Sequence, residues 1–224
     1  DLVLASFGRG FYVLDNYAPL RELTNELFNQ EAYLFAIKDG LLYMEASPLG
    51  YGAGGFLGAS YYRANNPEMG VNITYYVKDK VQTLKEKRQA AEKESANATY
   101  PTFEEMRAED NEEKPYLIFV IKDMAGNEVR RITKGYATGI NQLNWDGRYA
   151  NIAALRTNGE PITNAHAAMV APAGKYSIQL FKSENGTISQ LTEPNEFALK
   201  HLKNNPLGAE DQPALLAFQK EINA

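Results

Sequence analysis

The sequence has no cysteine, and histidine occurs only twice in its 224 residues. Without cysteine, the chain can form neither a disulfide framework nor a metal site with thiolate ligands. Basic residues number 23 against 28 acidic ones, so the net charge is −5 and no basic surface suited to nucleic acid is indicated. No apolar run approaches the roughly 18–20 residues of a membrane-spanning helix. We therefore expect no nucleic-acid partner and no membrane span.

The rest of the composition is that of a folded globular protein, with 44% hydrophobic and 23% charged residues. The length suits one large domain or two small ones. The absence of cysteine is compatible with the periplasm as well as with the cytoplasm. The first residues already follow a strand pattern, so we expect the chain to be a fragment of a longer protein.

The opening stretch, DLVLASFGRGFYVLD, predicts a β-hairpin or bulge: two short strands on either side of Gly8, Arg9 and Gly10. A lone hairpin is only marginally stable in water, so this one needs a sheet to join. Arg9, which stands between two glycines, is the candidate contact for an anionic ligand. The alternative is an edge residue that stacks on a neighbouring aromatic ring.

Residues 15–35 predict a turn, one or two helical turns with Thr24 as N-cap and Leu27 and Phe28 inward, and a return strand. Residues 36–70 are rich in glycine, serine, asparagine and proline, which predicts a linker or loop. Residues 193–224 predict a helical tail whose amphipathic helix begins at Asp211. The apolar stripe of that helix comprises Leu215, Phe218 and Ile222.

Residues 71–192 supply about six strands with turn signals between them. A helix at about 79–97 interrupts them; its apolar stripe is thin, so charge pairs and docking should stabilise it on the surface. The acidic stretch FEEMRAEDNEEKP predicts a solvated connector, and YLIFVIKD, apolar on both faces, predicts a central strand. The expected fold is mainly β: an immunoglobulin-like β-sandwich with an inserted surface helix and a C-terminal helix.

Three spaced motifs in this region carry a resemblance. They are D-x-x-G-x-x-V-R from Asp123, G-x-N-x-x-x-W-D-G from Gly139 and P-x-G-x-Y from Pro172. Together they are similar to the immunoglobulin-like domain of flagellar hook-capping proteins and of many bacterial C-terminal sandwich modules. The resemblance covers roughly residues 70–192 and implies an immunoglobulin-like sandwich. We expect Trp145 and Tyr176 to be core residues, because burying an aromatic side chain contributes a few kcal/mol.

The opening segment resembles the last blade of secreted bacterial propellers of the sortilin-like, neuraminidase-repeat class, which are often labelled glycosyl hydrolases. The matching residues are Ser6-Phe7-Gly8-Arg9-Gly10, Leu14-Asp15 and Pro19-Leu20-Arg21, with Phe7 where those proteins have histidine. The resemblance implies that residues 1–35 are the end of a propeller blade and a connector. It also implies a propeller upstream and a periplasmic or extracellular location in a bacterium.

Other candidate sites favour structural interpretations. GYGAGG at 50–55 matches G-x-G-x-x-G but lacks the strand and helix that a dinucleotide site needs. The acids between 104 and 113 lack the spacing of a calcium loop. Asp146, followed by Gly147, is typical of a turn, and His166 and His201 have no neighbours at metal-ligand spacing. We expect no catalytic residue, no metal and no cofactor.

Three functions remain open. The first is a non-catalytic accessory module with a structural or protein-interaction role beside the upstream propeller. The second is a carbohydrate-binding module that holds polysaccharide, which exposed tyrosines or an exposed Trp145 would favour; the tyrosines considered are Tyr51, Tyr61, Tyr62, Tyr75, Tyr76 and Tyr100. The third is a hydrolase, which needs two opposed acids. The sequence offers no candidate pair, so we expect that this chain is not an enzyme.

Overall fold

A computed structural model of the chain describes residues 1–43, 66–94, 100–150, 168–202 and 211–222, and within them the protein is mainly β. The strands, in chain order, are β1 (Leu2–Ser6), β2 (Gly10–Leu14), β3 (Ala32–Leu34), β4 (Gly40–Leu42), β5 (Val71–Val77), β6 (Tyr116–Asp123), β7 (Glu128–Gly135), β8 (Gly139–Trp145), β9 (Gly174–Glu184), β10 (Thr187–Gln190) and β11 (Asn195–His201). The α-helices of the described part are α1 (Leu84–Glu94), α2 (Phe103–Asn111) and α3 (Asp211–Ile222). Short 3-10 helices occupy Ala18–Arg21 and Leu27–Asn29.

The strands described form three sheets. The largest has the order β4-β11-β9-β6-β7, with β10 paired to β9; the second has the order β3-β5-β8; and β1 pairs with β2. Strand β6 lies between β9 and β7, and Leu117 through Ile121 are all buried. The prediction that this strand is central is therefore confirmed.

Two hairpins in the large sheet follow from local turn chemistry. Gly126 closes the β6–β7 hairpin at φ +85°, a conformation that glycine adopts without strain. Asn185 and Gly186 close the β9–β10 hairpin at φ +50° and +75°. Two consecutive left-handed residues match the right-handed twist of the flanking strands. Both hairpins were predicted and are confirmed.

The chain divides into two compact units. Unit 1 comprises Asp1–Ala36, Ile73–Gln142 and Ser177–Asn195, and unit 2 comprises Ile37–Asn72, Leu143–Tyr176 and Glu196–Ala224. In unit 1, Leu27, Phe35 and Tyr76 form a buried cluster. The predicted N-cap at Thr24 is wrong, because Glu26 precedes the 3-10 helix that begins at Leu27, although the Thr24 Oγ1 does accept a hydrogen bond from the Leu27 N–H at 3.2 Å. Leu27 is buried as predicted, whereas Phe28 is exposed.

Unit 2 is built around three aromatic rings. Trp145, Tyr176 and Phe197 are each at most 4% exposed. The Trp145 ring meets the other two edge-on, with centroids 5.5 Å from Tyr176 and 5.9 Å from Phe197. The alternation in β8 that predicted an inward Leu143 and Trp145 is confirmed.

The acidic stretch after Pro101 is a helix, α2, and not the predicted connector, although it is solvated as predicted, since none of its residues is buried. Thr102 and Glu105 form a capping box, in which each side chain accepts a hydrogen bond from the other residue's backbone N–H. The preceding helix, predicted at about 79–97, begins at Leu84, and its end is described only as far as Glu94. As expected of a thin apolar stripe, none of its residues is buried.

Two strands lie where the sequence predicted none. Strand β4 falls within the predicted linker 36–70, and β11 falls within the predicted helical tail 193–224. They pair in parallel, with Leu199 opposite Gly40. Close packing explains the glycine, because a Cβ there would lie 2.3 Å from the Val71 Cγ2. The large sheet therefore extends beyond residues 71–192.

Helix α3 begins at Asp211, as predicted. Gln212 is buried, and its Oε1 accepts a hydrogen bond from the Ala173 N–H at 3.3 Å. The predicted stripe faces solvent: Leu215, Phe218 and Ile222 are 42%, 59% and 65% exposed. None of the helices in the described part of the chain combines the length and apolar character that a membrane crossing requires.

Candidate functional site

The opening hairpin forms as the sequence predicts. Strands β1 and β2 pair antiparallel, in register from Leu2 opposite Leu14 to Ser6 opposite Gly10. The turn places Gly8 at φ +72° and Gly10 at φ +97°, with open space around both. The Ser6 hydroxyl donates a hydrogen bond to the Gly10 carbonyl at 3.1 Å. All residues of both strands are exposed.

Both faces of this hairpin are apolar. On one face Leu2 lies opposite Leu14, and Leu4 lies opposite Tyr12. On the other face Val3 lies opposite Val13, and Ala5 lies opposite Phe11. The exposed fractions range from 41% for Leu2 to 79% for Phe11. A strand that is apolar on both faces is typical of a sheet covered on both sides. The described residues leave both faces of this hairpin uncovered.

Arg9 lies in the exposed turn of the hairpin, beside the fully exposed ring of Phe7. An exposed guanidinium can bind an anion, but in water one such ion pair contributes little binding energy. Among the described strands, β1 and β2 pair only with each other. The role of Arg9 as an anion contact stays a prediction.

Asp146 has the structural role that its neighbour Gly147 predicts. Its Oδ1 accepts a hydrogen bond from the Arg148 N–H at 3.1 Å, and Gly147 has φ +71°. In the same turn, the Trp145 Nε1–H donates to the Arg148 carbonyl at 2.9 Å. The carboxylate therefore fixes the turn that follows β8.

Two of the acids between 104 and 113, Glu109 and Glu112, join helices α1 and α2. Glu109 accepts two hydrogen bonds from the Arg88 guanidinium, at 2.6 and 2.9 Å, and the Glu112 carboxylate accepts one from the Leu84 N–H at 2.7 Å. Arg88 also pairs with Glu92 one helical turn away. The hydrogen bond from Arg88 holds the pKa of Glu109 below its usual range. These acids serve helix docking, and the expectation of docking and charge pairs is confirmed.

The described residues contain no group of three or more histidine, aspartate or glutamate side chains placed to hold a metal ion. His201 ends β11 and is half-buried. Three candidates lie outside the described residues: His166, Glu160 and the glycine motif at 50–55.

The aromatic rings considered for sugar stacking are mostly inside the protein or outside the described residues. Tyr75, Tyr76 and Trp145 are buried, at 2%, 8% and 1% exposed. Tyr100 is 80% exposed, and Tyr51, Tyr61 and Tyr62 lie outside the described residues. Trp145, Tyr75 and Tyr76 therefore offer no surface on which a sugar ring could stack.

A cleft of about 340 Å³ in unit 1 was not predicted. Its lining residues come from two segments: Gln30, Ala32, Tyr33 and Leu34 from one, and Leu191, Thr192, Glu193, Pro194 and Asn195 from the other. The volume falls within the range of ligand-binding clefts, roughly 300–1,000 Å³. Sequence patterns carry no signal for it, because the two segments are about 160 residues apart in the chain.

Polar contacts hold one end of this cleft. The Asn195 side-chain amide donates hydrogen bonds to the carbonyls of Leu34, at 3.3 Å, and Phe35, at 3.0 Å. The Tyr33 hydroxyl donates to the Glu22 carboxylate at 3.4 Å, and burial together with that negative charge raises the pKa of Tyr33. Asn195 therefore ties the two segments that line the cleft together.

No family model matches the chain, and comparisons with curated proteins and with solved structures give no match either.

Proposed function

We propose that the chain is a non-catalytic accessory module of a secreted bacterial propeller protein, periplasmic or extracellular, which docks onto the propeller and has a structural or protein-interaction role. The observation that carries this proposal is the β1–β2 hairpin, which is apolar on both faces and exposed on both. Residues 6–21 resemble the end of a propeller blade, so we propose that a propeller is the surface that covers the hairpin.

The physical argument is the free energy of burial. Covering a valine, leucine or phenylalanine side chain completely contributes about 1.5–3 kcal/mol relative to leaving it exposed. The hairpin carries several such side chains on each face, among them Val3, Leu4, Phe11 and Val13. A ribbon of two strands is marginally stable alone, whereas pairing with a third strand and covering by neighbouring sheets would stabilise it.

We also propose that the two larger sheets form an immunoglobulin-like sandwich. Strand β5 belongs to the three-stranded sheet and β6 to the large one. Tyr75 on β5 and Phe119 on β6 are both buried, and their rings meet edge-on with centroids 4.9 Å apart. Inward-facing residues of two sheets meet in this way in sandwich cores.

The test compares two charge-introducing substitutions in the full-length protein. Val13→Asp places a charge on the hairpin, and Ile188→Asp places one on β10, at a residue of similar exposure, 57% against 59%. If the hairpin is buried against a propeller, Val13→Asp lowers the melting temperature, because it buries an unpaired charge. Ile188→Asp leaves the melting temperature nearly unchanged.

Amide hydrogen exchange gives a second measurement. In the full-length protein, the amides of β1 and β2 should exchange much more slowly than in the isolated 224-residue chain. Equal melting temperatures for the two variants, together with equally fast exchange in both proteins, would contradict the proposal.

A further inference from the structure

We infer that the free edge of β3 binds an extended peptide segment of another protein, which enters the cleft and adds one strand to the three-stranded sheet. This surface is separate from the β1–β2 hairpin, so the inference stands or falls independently of the proposed function.

The register of β3 against β5 fixes the direction of each backbone group. The Phe35 N–H donates to the Thr74 carbonyl at 3.2 Å, and the Lys78 N–H donates to the Glu31 carbonyl at 2.9 Å. In an antiparallel pair, hydrogen-bonded and non-hydrogen-bonded positions alternate. Residues 31, 33 and 35 therefore bond toward β5, and Ala32 and Leu34 direct their N–H and C=O groups to the opposite edge.

Among the described strands, none pairs with that opposite edge, because β3 is the last strand in the order β3-β5-β8. The Leu34 carbonyl already accepts a hydrogen bond from the Asn195 side-chain amide. In the part of the chain that the structure describes, no partner accounts for the Leu34 N–H or for either backbone group of Ala32. The Ala32 N–H, the Ala32 carbonyl and the Leu34 N–H therefore form a row of three backbone groups without a hydrogen-bond partner among the described residues.

These groups do not lie on open surface. Ala32 and Leu34 are each only 6% exposed, and both line the cleft of about 340 Å³. Buried backbone donors and acceptors are paired in more than nine cases of ten, since an unpaired one costs the free energy of a lost hydrogen bond. An unpaired row along a cleft therefore points to a ligand that supplies the missing partners.

An extended peptide has the matching chemistry. A ligand residue opposite Ala32 would exchange two hydrogen bonds with it, and the carbonyl two residues along would accept from the Leu34 N–H. This is the arrangement by which peptides add a strand to an exposed sheet edge. Leu191 and Pro194 provide apolar walls, and the exposed Glu193 carboxylate favours a basic side chain on the ligand.

The experiment uses the isotope-labelled chain and an alternating threonine–lysine decapeptide as the probe. Threonine favours extended backbone and lysine supplies the positive charge. The control probe is the same peptide with alternate amides N-methylated, which removes its hydrogen-bond donors along one edge. Nuclear magnetic resonance titration follows the amides of Ala32 and Leu34.

We expect the Ala32 and Leu34 amide signals to move on titration, and N-methylation to weaken binding at least about tenfold. Glu193→Lys should weaken binding severalfold, because it reverses the charge beside the cleft. Glu196→Lys, the same change at an exposed position outside the cleft lining, should not. Ala32→Pro removes one of the three groups without touching the hydrogen bonds to β5 and should abolish binding.

Three results would overturn the inference. If the two amide signals stay in place, solvent satisfies the edge. If the methylated and unmethylated peptides bind equally, the peptide binds by charge alone. If the chain self-associates and Glu193→Lys abolishes that association, a second copy of the chain occupies the edge. Glu193→Lys changes an exposed side chain, so it remains informative even if Ala32→Pro fails to fold.

Discussion

Removal of the Trp145 side chain is the sharpest test of how unit 2 is held together. Trp145 is 1% exposed and makes edge-on contacts with the rings of Tyr176 and Phe197. Its Nε1–H also donates a hydrogen bond to the Arg148 carbonyl at 2.9 Å. Trp145→Ala therefore leaves a cavity between two rings and a carbonyl without its donor.

The magnitude follows from these two losses. Truncation of a buried tryptophan to alanine costs about 3–5 kcal/mol, and loss of the hydrogen bond costs about 1 kcal/mol more. Domains of this size have total stabilities of about 5–15 kcal/mol. The variant should thus lose a large part of its stability, and its melting temperature should fall by about 8 °C or more, at about 2–4 °C per kcal/mol.

The assay is thermal and urea unfolding followed by far-UV circular dichroism, since fluorescence would lose its signal with the only tryptophan. Phe103→Ala is the matched control, because it truncates an aromatic ring that is 80% exposed. A surface truncation of this kind changes stability by less than about 0.5 kcal/mol. If Trp145→Ala melts within a degree or two of Phe103→Ala, the reasoning about the aromatic core is wrong.

Two further predictions concern a glycine and an ion pair. In urea unfolding, Gly70→Ala should lower the free energy of unfolding by about 1–3 kcal/mol more than Gly126→Ala does. Both glycines have positive φ, but only at Gly70 would an added Cβ meet backbone, 2.0 Å from the Trp145 carbonyl oxygen. Equal urea midpoints for the two variants would contradict this. Because the pKa of Glu109 is lowered, its stabilising contribution is present above the ordinary glutamate pKa and is lost as the pH falls below about 4. Far-UV circular dichroism should therefore show a weaker helix signal on acidification, and the same loss already at neutral pH in Glu109→Gln but not in Asp110→Asn. An unchanged helix signal in Glu109→Gln would refute the ion pair's role.

The elements that the sequence predicted correctly are those whose signals are local. Strand β6 carries a continuous apolar run, and the Asn185–Gly186 turn needs only two residues with positive φ. Helix α2 also has a local signal, because Thr102 followed by Glu105 three residues later matches the capping-box pattern. The density of charge in the same stretch masks that local signal, because charged runs are typical of solvated connectors as well.

Strands β4 and β11 could not be predicted as a pair, because their pairing joins residues that lie far apart in the chain. Each is short, and Leu199 lies opposite Gly40 only once the chain has folded. The cleft beside β3 has the same origin, since its two sides meet across about 160 residues. Arg9, by contrast, lies in the hairpin turn that its two flanking glycines predict.

The sequence by itself determined which segments alternate and where they turn, because backbone propensity and turn chemistry act over a few residues. It could not determine which apolar faces are covered. Val3 and Val13 follow the same strand pattern as Leu143 and Trp145, yet the first two are 59% exposed and the last two are buried. Tertiary structure made that difference, because burial depends on what packs against a face, and no residue specifies its own neighbour.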